Sequence, residues 1–355
     1  MKLKNGIILN EKFNFEEGDL LFSNTIGAST DQEEIDVTGC YVLPGLVDVH
    51  THGALGYTAN SEEVDYDTWQ SFLLRQGVTT FLPTTATGSQ EKIYSSIAKL
   101  DKAVGINMEG PYLSIERKGA HEAGLLREVD LDFLEKVKDR VKIVTVAPEV
   151  GHNIDTIEKI TAMGIRVAIG HSAADYETGK RAIEKGTTQI THTFNCCPPF
   201  LHRDPGLLGA AFENENVYCE VIGDGLHLHP SVVRMLYKQV GTERMVLISD
   251  AIAATGYEDG VYKLAGLTTY VQNREARLKD GTLAGSTVTL YDVLCRVTGF
   301  GIPLCDVAKM ASYTPAKALG LTDVGSLAAG MDADVLVLNQ DLSIRHVFYK
   351  GNQIV

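Results

Sequence analysis

Eight short apolar segments, many of them rich in valine and isoleucine, recur between residues 45 and 248. Most are separated by helix-compatible stretches, such as residues 175–186, which contain helix-forming residues and end on a glycine. Continuous apolar runs are typical of strands that are buried on both faces, as in parallel sheets. The predicted strands are 45–50, 78–83, 105–109, 141–146, 166–169, 189–192, 217–222 and 244–248. Their number predicts an α/β fold with a (β/α)8 TIM-type barrel. The alternative is an open doubly wound sheet. The count of eight strands and the positions of the polar residues argue against it.

Both ends of the chain read as short strands that are too small to fold alone. We therefore predict a small β-sandwich domain built from both chain termini, residues 1–43 and 321–355, with the barrel, residues 44–320, inserted between them. Residues 257–283 break the alternation of strands and helices, and we predict a β-hairpin insertion there, after the eighth strand.

Charge and composition exclude several classes of partner. The net charge of −14 argues against binding to nucleic acid or to an anionic membrane. No apolar run reaches the ~18 residues of a transmembrane helix, and the first residues do not resemble a signal peptide. The six cysteines show neither zinc-finger nor disulfide spacing, so we expect a cytoplasmic protein. Such an acidic protein needs a locally positive pocket to bind an anionic substrate.

Reactive side chains follow the predicted strands. His50 and His52 are two residues apart at the end of the first strand, so their side chains point to the same face. Paired imidazoles at a barrel mouth are good ligands for zinc or iron. Taken alone, however, a His-x-His pattern has a high rate of false matches.

The third, fifth, sixth and eighth strands end at Glu109, His171, His192 and Asp250. Burying an isolated carboxylate such as Glu109 is costly unless it is paired or bound to metal, although a salt bridge is the alternative. Each histidine could be structural, but two at equivalent positions in successive units favour a shared site. Asp250 can act as a general acid and base, or alternatively as a plain metal ligand or a helix cap. We predict a divalent metal site at the carboxyl ends of the barrel strands.

The segments that carry these residues resemble the amidohydrolase superfamily and, within it, the N-acetylglucosamine-6-phosphate deacetylases. The superfamily resemblance rests on residues 44–52, 314–320 and 325–334. The resemblance to the deacetylases rests on residues 109–111, 118–121, 170–172, 191–195 and 224–227, and the match covers essentially the whole chain. It implies hydrolysis of the acetamide of an amino-sugar phosphate, with Asp250 as the catalytic acid and base.

The resemblance also implies roles for individual residues. Glu109, His171 and His192 are expected to hold the main zinc or iron ion, and His50 and His52 make a second ion plausible. His121 is expected to contact the acetyl carbonyl or the sugar, and Arg203 is expected to bind the phosphate, with the clamp completed across a homodimer interface. The other residues expected to bind the substrate are Ala120, Asn195, Cys196, His227, Leu283, Ala284 and Gly285.

Several alternatives remain open at this stage. Arg203 could instead form a surface ion pair with Asp204, and His227 could serve only to pack its loop. The substrate could be N-acetylgalactosamine 6-phosphate or another small amide, including a cyclic one, because epimer choice depends on a single hydroxyl contact. A non-catalytic scaffold is the alternative of a different class, but such a protein should have lost its ligands.

Overall fold

The computed structural model describes residues 1–27, 33–61 and 63–355. Residues 28–32, within the predicted terminal domain, and residue 62 lie outside the described part. The strands, in chain order, are β1 Lys2–Leu9, β2 Phe15–Leu21, β3 Glu34–Asp36, β4 Tyr41–Pro44, β5 Leu46–Thr51, β6 Gly53–Ala54, β7 Tyr57–Thr58, β8 Val78–Thr85, β9 Ile106–Tyr112, β10 Val141–Val146, β11 Arg166–Ile169, β12 Thr187–Ile190, β13 Tyr218–Ile222, β14 Met245–Ile248, β15 Gly260–Leu264, β16 Leu267–Gln272, β17 Glu275–Arg277, β18 Val335–Leu338, β19 Ile344–Tyr349 and β20 Asn352–Gln353. The α-helices are α1 Tyr66–Arg75, α2 Gln90–Lys99, α3 Leu131–Val137, α4 Asn153–Ala162, α5 Tyr176–Glu184, α6 Gly206–Glu213, α7 Pro230–Val240, α8 Leu290–Gly299, α9 Leu304–Ala311 and α10 Tyr313–Leu319.

The central barrel consists of eight strands in the order β5, β8, β9, β10, β11, β12, β13 and β14, and neighbouring strands are parallel. The first and last strands meet, because the Asp250 N–H donates to the His50 carbonyl oxygen at 2.9 Å. In addition, Thr51 pairs with Ala251 in parallel. Each segment predicted as a barrel strand overlaps one of these eight strands, so the TIM-type barrel is confirmed and the open sheet is excluded.

Local sequence signals position the helices between the strands. Helices α1, α2, α3 and α5 each begin after a residue whose side chain accepts a hydrogen bond from the backbone N–H three positions on; these residues are Asp65, Ser89, Asp130 and Asp175. Such caps satisfy backbone donors that the first helical turn leaves unpaired. The connection before the helix is short for α2 and α5, which start at Gln90 and Tyr176 after strands that end at Thr85 and Ile169, whereas longer segments precede α1 and α3.

Strands from both termini form one mixed seven-stranded sheet. Strand β4 joins the two ends of the chain, because it is parallel to β1 and antiparallel to β18. Phe22 and Phe348 pack edge to face in the core of this sheet, with ring centroids 5.1 Å apart. The sandwich arrangement and the boundaries proposed for this domain stay predictions.

The segment after the eighth barrel strand carries a three-stranded antiparallel sheet, β15–β17, within the range predicted as a hairpin. Leu264 and Val271 from this sheet pack with Ala120 and Ile252 near the barrel mouth. The insertion therefore forms one wall above the ends of the barrel strands. Within the described residues, no helix is both long and apolar enough to cross a membrane.

Candidate metal centre

Five barrel strands bring the predicted ligands to one rim of the barrel. His50 lies in β5 and Glu109 in β9, whereas His171, His192 and Asp250 follow the ends of β11, β12 and β14. The last three residues have φ angles of +48°, +27° and +50°. Positive φ is uncommon for residues other than glycine, and backbone strain of this kind concentrates at functional sites.

Glu109 lies at the centre of the cluster and is only 2% exposed. Its Oε1 lies 3.1 Å from His171 Nε2 and 2.9 Å from His192 Nε2, and these two nitrogens are 3.0 Å apart. Ligand atoms that share a zinc or iron ion at about 2.0–2.2 Å are themselves separated by about 3 Å or slightly more. Glu109, His171 and His192 are therefore placed as the ligands of one ion would be.

A second group adjoins the first. Asp250 Oδ1 lies 3.3 Å from His52 Nε2 and 3.6 Å from His50 Nε2, and the two imidazole nitrogens are 3.3 Å apart. Glu109 Oε2 reaches the same group, at 3.0 Å from His52 Nε2. Two groups of side chains here have the residue types and spacing of a metal site, His50, His52 and Asp250 in one and Glu109, His121 and His171 in the other. His192 Nε2, at 2.9 Å from Glu109 Oε1, adjoins the second group.

The hydrogen bonds of the outer ring nitrogens show that the cluster fits a cation. In three of the histidines, Nδ1 faces an oxygen atom that can only accept a hydrogen bond. A neutral ring must therefore carry its hydrogen on Nδ1, and the Nε2 lone pair points at the carboxylates. Nitrogen lone pairs and carboxylate oxygens repel one another, so they are stable this close together only if a positive charge lies among them. The contacts are His52 Nδ1 to Thr84 O at 3.0 Å, His171 Nδ1 to Arg117 O at 2.9 Å and His50 Nδ1 to Glu220 Oε2 at 3.0 Å.

The pKa values of His50 and His52 and that of Glu109 shift in opposite directions, and both shifts favour the charged forms. Burial lowers the pKa of His50, but Glu109 and Glu220 raise it well above its usual value. Burial likewise lowers the pKa of His52, but hydrogen bonds with Asp250 and Glu109 raise it to about 9. Burial raises the pKa of Glu109, but imidazoles such as His50 bring it well below its usual value. A divalent ion supplies this positive charge at neutral pH by displacing protons.

His121 differs from the other histidines in its protonation. Burial, together with His171, lowers the pKa of His121 to about 4, so the ring is neutral near pH 7. The Thr87 backbone N–H donates to His121 Nδ1 at 3.3 Å, which places the ring hydrogen on Nε2. That Nε2 lies 3.3 Å from Glu109 Oε2. His121 therefore presents a hydrogen-bond donor at the edge of the cluster.

A cavity of about 140 Å³ opens from the cluster. Cavities of about 320 Å³ and 560 Å³ lie elsewhere, but neither is lined by a histidine. Of the residues predicted to bind substrate, those that line the cluster cavity are Ala120, His121, Asn195, Cys196, His227, Leu283 and Gly285. Ala284 is fully buried and does not line it, and Arg203 is exposed and also lies outside the lining.

Close packing explains one glycine of the wall. Gly119 has a φ of +53°, and a Cβ atom there would lie 2.8 Å from Cys196 Sγ and 3.1 Å from His171 Cε1. A side chain at this position would force Cys196 Sγ to move and would crowd the proposed ligand His171, and the positive φ also favours glycine there.

Several residues in or beside the site were not predicted from the sequence. Glu220 holds His50, Asp224 Oδ2 lies 2.7 Å from His227 Nδ1, and Leu264 and Thr282 line the cavity. Glu220 had a readable signal, because it is a lone carboxylate within the apolar run of β13. Leu264 had none, since its place depends on how the insertion folds back over the mouth.

Comparisons with known proteins agree with this geometry. Residues 41–354 match the model of the amidohydrolase family. An N-acetylglucosamine-6-phosphate deacetylase from Bacillus subtilis is 33% identical over 333 residues, which cover 88% of this chain and 84% of the relative. An N-acetylgalactosamine-6-phosphate deacetylase from Escherichia coli is 30% identical, covering 87% of this chain and 86% of the relative.

A solved structure is also closely similar. It is a variant of the N-acetyl-D-glucosamine-6-phosphate deacetylase from Mycobacterium smegmatis, in complex with N-acetyl-D-glucosamine 6-phosphate. That chain superimposes with a TM-score of 0.93 at 34% sequence identity, and the match covers 100% of this chain and 99% of that one.

Proposed function

This chain belongs to the amidohydrolase family, and from that premise we propose that it hydrolyses N-acetyl-D-glucosamine 6-phosphate to D-glucosamine 6-phosphate and acetate. The observation that carries the proposal is the buried cluster of imidazoles and carboxylates around Glu109, with Asp250 beside it at the floor of the cavity. The relatives named as deacetylases of this substrate support the choice among amides. A scaffold that had lost its chemistry would have no reason to retain so costly a set of buried charges.

The cluster is proposed to hold one or two divalent ions, zinc or iron. Glu109, His171 and His192 would ligate the first ion, and His50 and His52 would take part in holding a second. A divalent ion bound there would supply Lewis-acid chemistry, which polarises a carbonyl group and lowers the pKa of water. All other steps fall to side chains of this chain.

Asp250 is proposed as the general base and then the general acid. Burial raises the pKa of Asp250, but the hydrogen bond with His52 and the charge of His50 bring it below its usual value. The carboxylate is therefore ionised near pH 7 and can accept a proton from the attacking water. It then delivers that proton to the departing amine of the sugar, which completes the exchange.

His121 is proposed to stabilise the negative charge that develops on the acetamide oxygen. Its hydrogen lies on Nε2, which lines the cavity beside Glu109. A neutral donor fixed in this way stabilises an oxyanion without reorganising during the reaction. Thr87 holds the ring in that tautomer from the other side.

The sugar and its phosphate are proposed to lie against the remaining walls of the cavity. The Asn195 side chain, the backbone at Cys196, and His227 lie on one side. Ala120, Leu283 and Gly285 also line the cavity, and Ala120 packs against residues of the insertion. The hydrogen bond to Asp224, together with that carboxylate's charge, raises the pKa of His227 against the effect of burial, which favours its cationic form beside a phosphate.

Arg203 is proposed to reach a phosphate in the site of a second copy of the chain, which makes the enzyme a homodimer. In this chain Arg203 is exposed and lies outside the cavity lining. Phe200 and Leu201, which precede Arg203 in the chain, are 48% and 52% exposed. Met235, which is 50% exposed, lines a surface cavity together with Phe200 and Pro205. Exposed apolar groups of this kind are typical of protein interfaces.

The proposed function is tested by acetate release from purified protein that has been loaded with zinc or iron. We expect efficient turnover of N-acetylglucosamine 6-phosphate and a much smaller kcat/KM for N-acetylglucosamine without phosphate. A higher kcat/KM for N-acetylgalactosamine 6-phosphate would transfer the assignment to the other epimer, the activity named for the relative from E. coli. No acetate release from either phosphorylated sugar would overturn the proposal.

We place the enzyme in the cytoplasm. Its six cysteines are all free, as expected for a protein in a reducing compartment. A phosphorylated sugar is also too polar to cross a bilayer unaided, so its hydrolysis requires an enzyme on the same side as the substrate.

A further inference from the structure

Glu220 is a fully buried carboxylate inside the barrel that the proposed mechanism does not use. It lies in the middle of β13, on the same face as Ile222, which packs in the barrel interior with Val47 and Ile248. Within the described residues, its ion pair is with His50 alone. A buried charge with one imidazole partner costs stability, so its presence calls for a functional reason.

The hydrogen bonds of Glu220 connect it to both groups of proposed ligands. Oε2 lies 3.0 Å from His50 Nδ1 and accepts the backbone N–H of His192 at 3.2 Å. Oε1 accepts the side-chain amide of Gln189 at 2.5 Å. Only the contact with His50 reaches an imidazole ring, so the effect on ring orientation and tautomer is specific to that ligand.

A carboxylate bound to Nδ1 fixes which nitrogen of an imidazole can bind metal. Because an ionised Glu220 only accepts hydrogen bonds, His50 must keep a hydrogen on Nδ1 and present its lone pair on Nε2. That atom faces Asp250 Oδ1 at 3.6 Å and His52 Nε2 at 3.3 Å. The negative charge of Glu220 also makes Nε2 a stronger donor to a metal.

We propose that Glu220 is a positioning residue that controls the binding of a second divalent ion by His50, His52 and Asp250, while the ion held by Glu109, His171 and His192 depends on it far less. This inference rests on the proposed function in one respect, because both assume that the cluster binds metal. It concerns how many ions the centre holds, and therefore differs from the question of which amide is hydrolysed.

The variant that tests this is Glu220→Gln, which removes the charge and keeps the shape. A glutamine oxygen in the place of Oε2 still accepts from both His50 and His192. Its NH2 group then faces Gln189, whose own Oε1 has no hydrogen-bond partner and can turn to accept. The fold should therefore tolerate the change. The matched control is Asp48→Asn, which removes another buried carboxylate of the barrel whose hydrogen bonds go to Ser249 and to backbone N–H groups rather than to a ring.

The experiment is titration calorimetry of the chelated full-length protein with Zn²⁺, together with metal content by mass spectrometry. We expect two binding steps in the wild type. In Glu220→Gln the weaker step should lose about tenfold to a hundredfold in affinity, the range typical of an outer carboxylate, while the tighter step changes by less than about threefold. Asp48→Asn should retain both steps, and both variants should show the far-ultraviolet circular dichroism of the wild type.

Other outcomes overturn the inference. These are a single binding step in the wild type, equal weakening of both steps in Glu220→Gln, or two unchanged steps in that variant. Acetate release by the wild type is measured in parallel and decides the proposed function separately, because a centre with one ion could still support hydrolysis.

Discussion

The residues around Asp250, more than its position at a strand end, support its proposed role in catalysis. It is 6% exposed, and its Oδ1 lies 3.3 Å from His52 Nε2, within the cavity. We predict that Asp250→Asn lowers kcat about a hundredfold to ten-thousandfold, the range that general acid and base catalysis contributes. Substrate affinity and the ion at Glu109 should be retained, as measured by acetate release and metal content. A kcat close to that of the wild type would contradict the assigned role.

At the scale of residues, the proposed ligands could be picked out because each lies in a barrel strand or just after one. A strand fixes the direction of its side chains, so His50 and His52 share a face whatever the details of packing. Glu220 was not predicted as part of the site, because a lone carboxylate in an apolar run is a visible signal but does not show whether the side chain turns toward the proposed ligands. Arg203 lies in an exposed loop, and no strand or helix periodicity predicts where such a side chain points.

Among the elements, α8 is tied to the cavity through its first residues. Thr289 caps this helix and forms a reciprocal capping box with Asp292, four residues after Gly285, which lines the cavity. We predict that Thr289→Ala lowers the free energy of unfolding by about 1 kcal/mol relative to Thr289→Ser, which keeps the hydroxyl. Chemical denaturation of the two variants measures the difference. Equal stabilities would show that the cap contributes nothing.

The eight barrel strands could be predicted from sequence because burial on both faces leaves a continuous apolar run. The terminal sheet was harder to predict. Its strands were visible, but the place of β4 between β1 and β18 depends on pairing across almost the whole chain. The third strand of the insertion, β17, is only three residues long and leaves no periodic signal.

For the whole molecule, the metal centre couples stability to pH. Without an ion, the pKa of His52 is raised to about 9, so its contribution to stability is complete below its unfolded-state pKa near 6.5 and is lost as pH rises through about 9. A bound ion replaces the proton and removes this loss. We predict that the difference in Tm between metal-loaded and chelated protein widens from pH 6.5 to pH 9. Thermal unfolding of both forms across this range measures it, and a constant or shrinking difference would contradict the charge balance in the cluster.

The proposed dimer can be tested by combining two different variant subunits in one dimer. If Arg203 of one subunit serves the site of the other, a dimer of one Arg203→Ala chain and one Asp250→Asn chain contains a site with both groups intact. Equal amounts of the two inactive or weakly active homodimers, mixed under conditions of subunit exchange, should therefore restore about a quarter of the activity of the wild type on N-acetylglucosamine 6-phosphate, because about half of the dimers become mixed and each mixed dimer has one intact site of two.

The same mixture distinguishes the alternatives for Arg203. If it acted within its own chain, one site of the mixed dimer would lack Arg203 and the other would lack Asp250, so exchange would restore nothing. If it formed only a surface ion pair with Asp204, the Arg203→Ala homodimer would already have the KM of the wild type for the phosphorylated sugar. A residue that binds the phosphate across the interface should give both results, recovery of activity on mixing and a raised KM in the Arg203→Ala homodimer. A guanidinium binds phosphate through direct hydrogen bonds, so Arg203 can serve only the site that its side chain reaches.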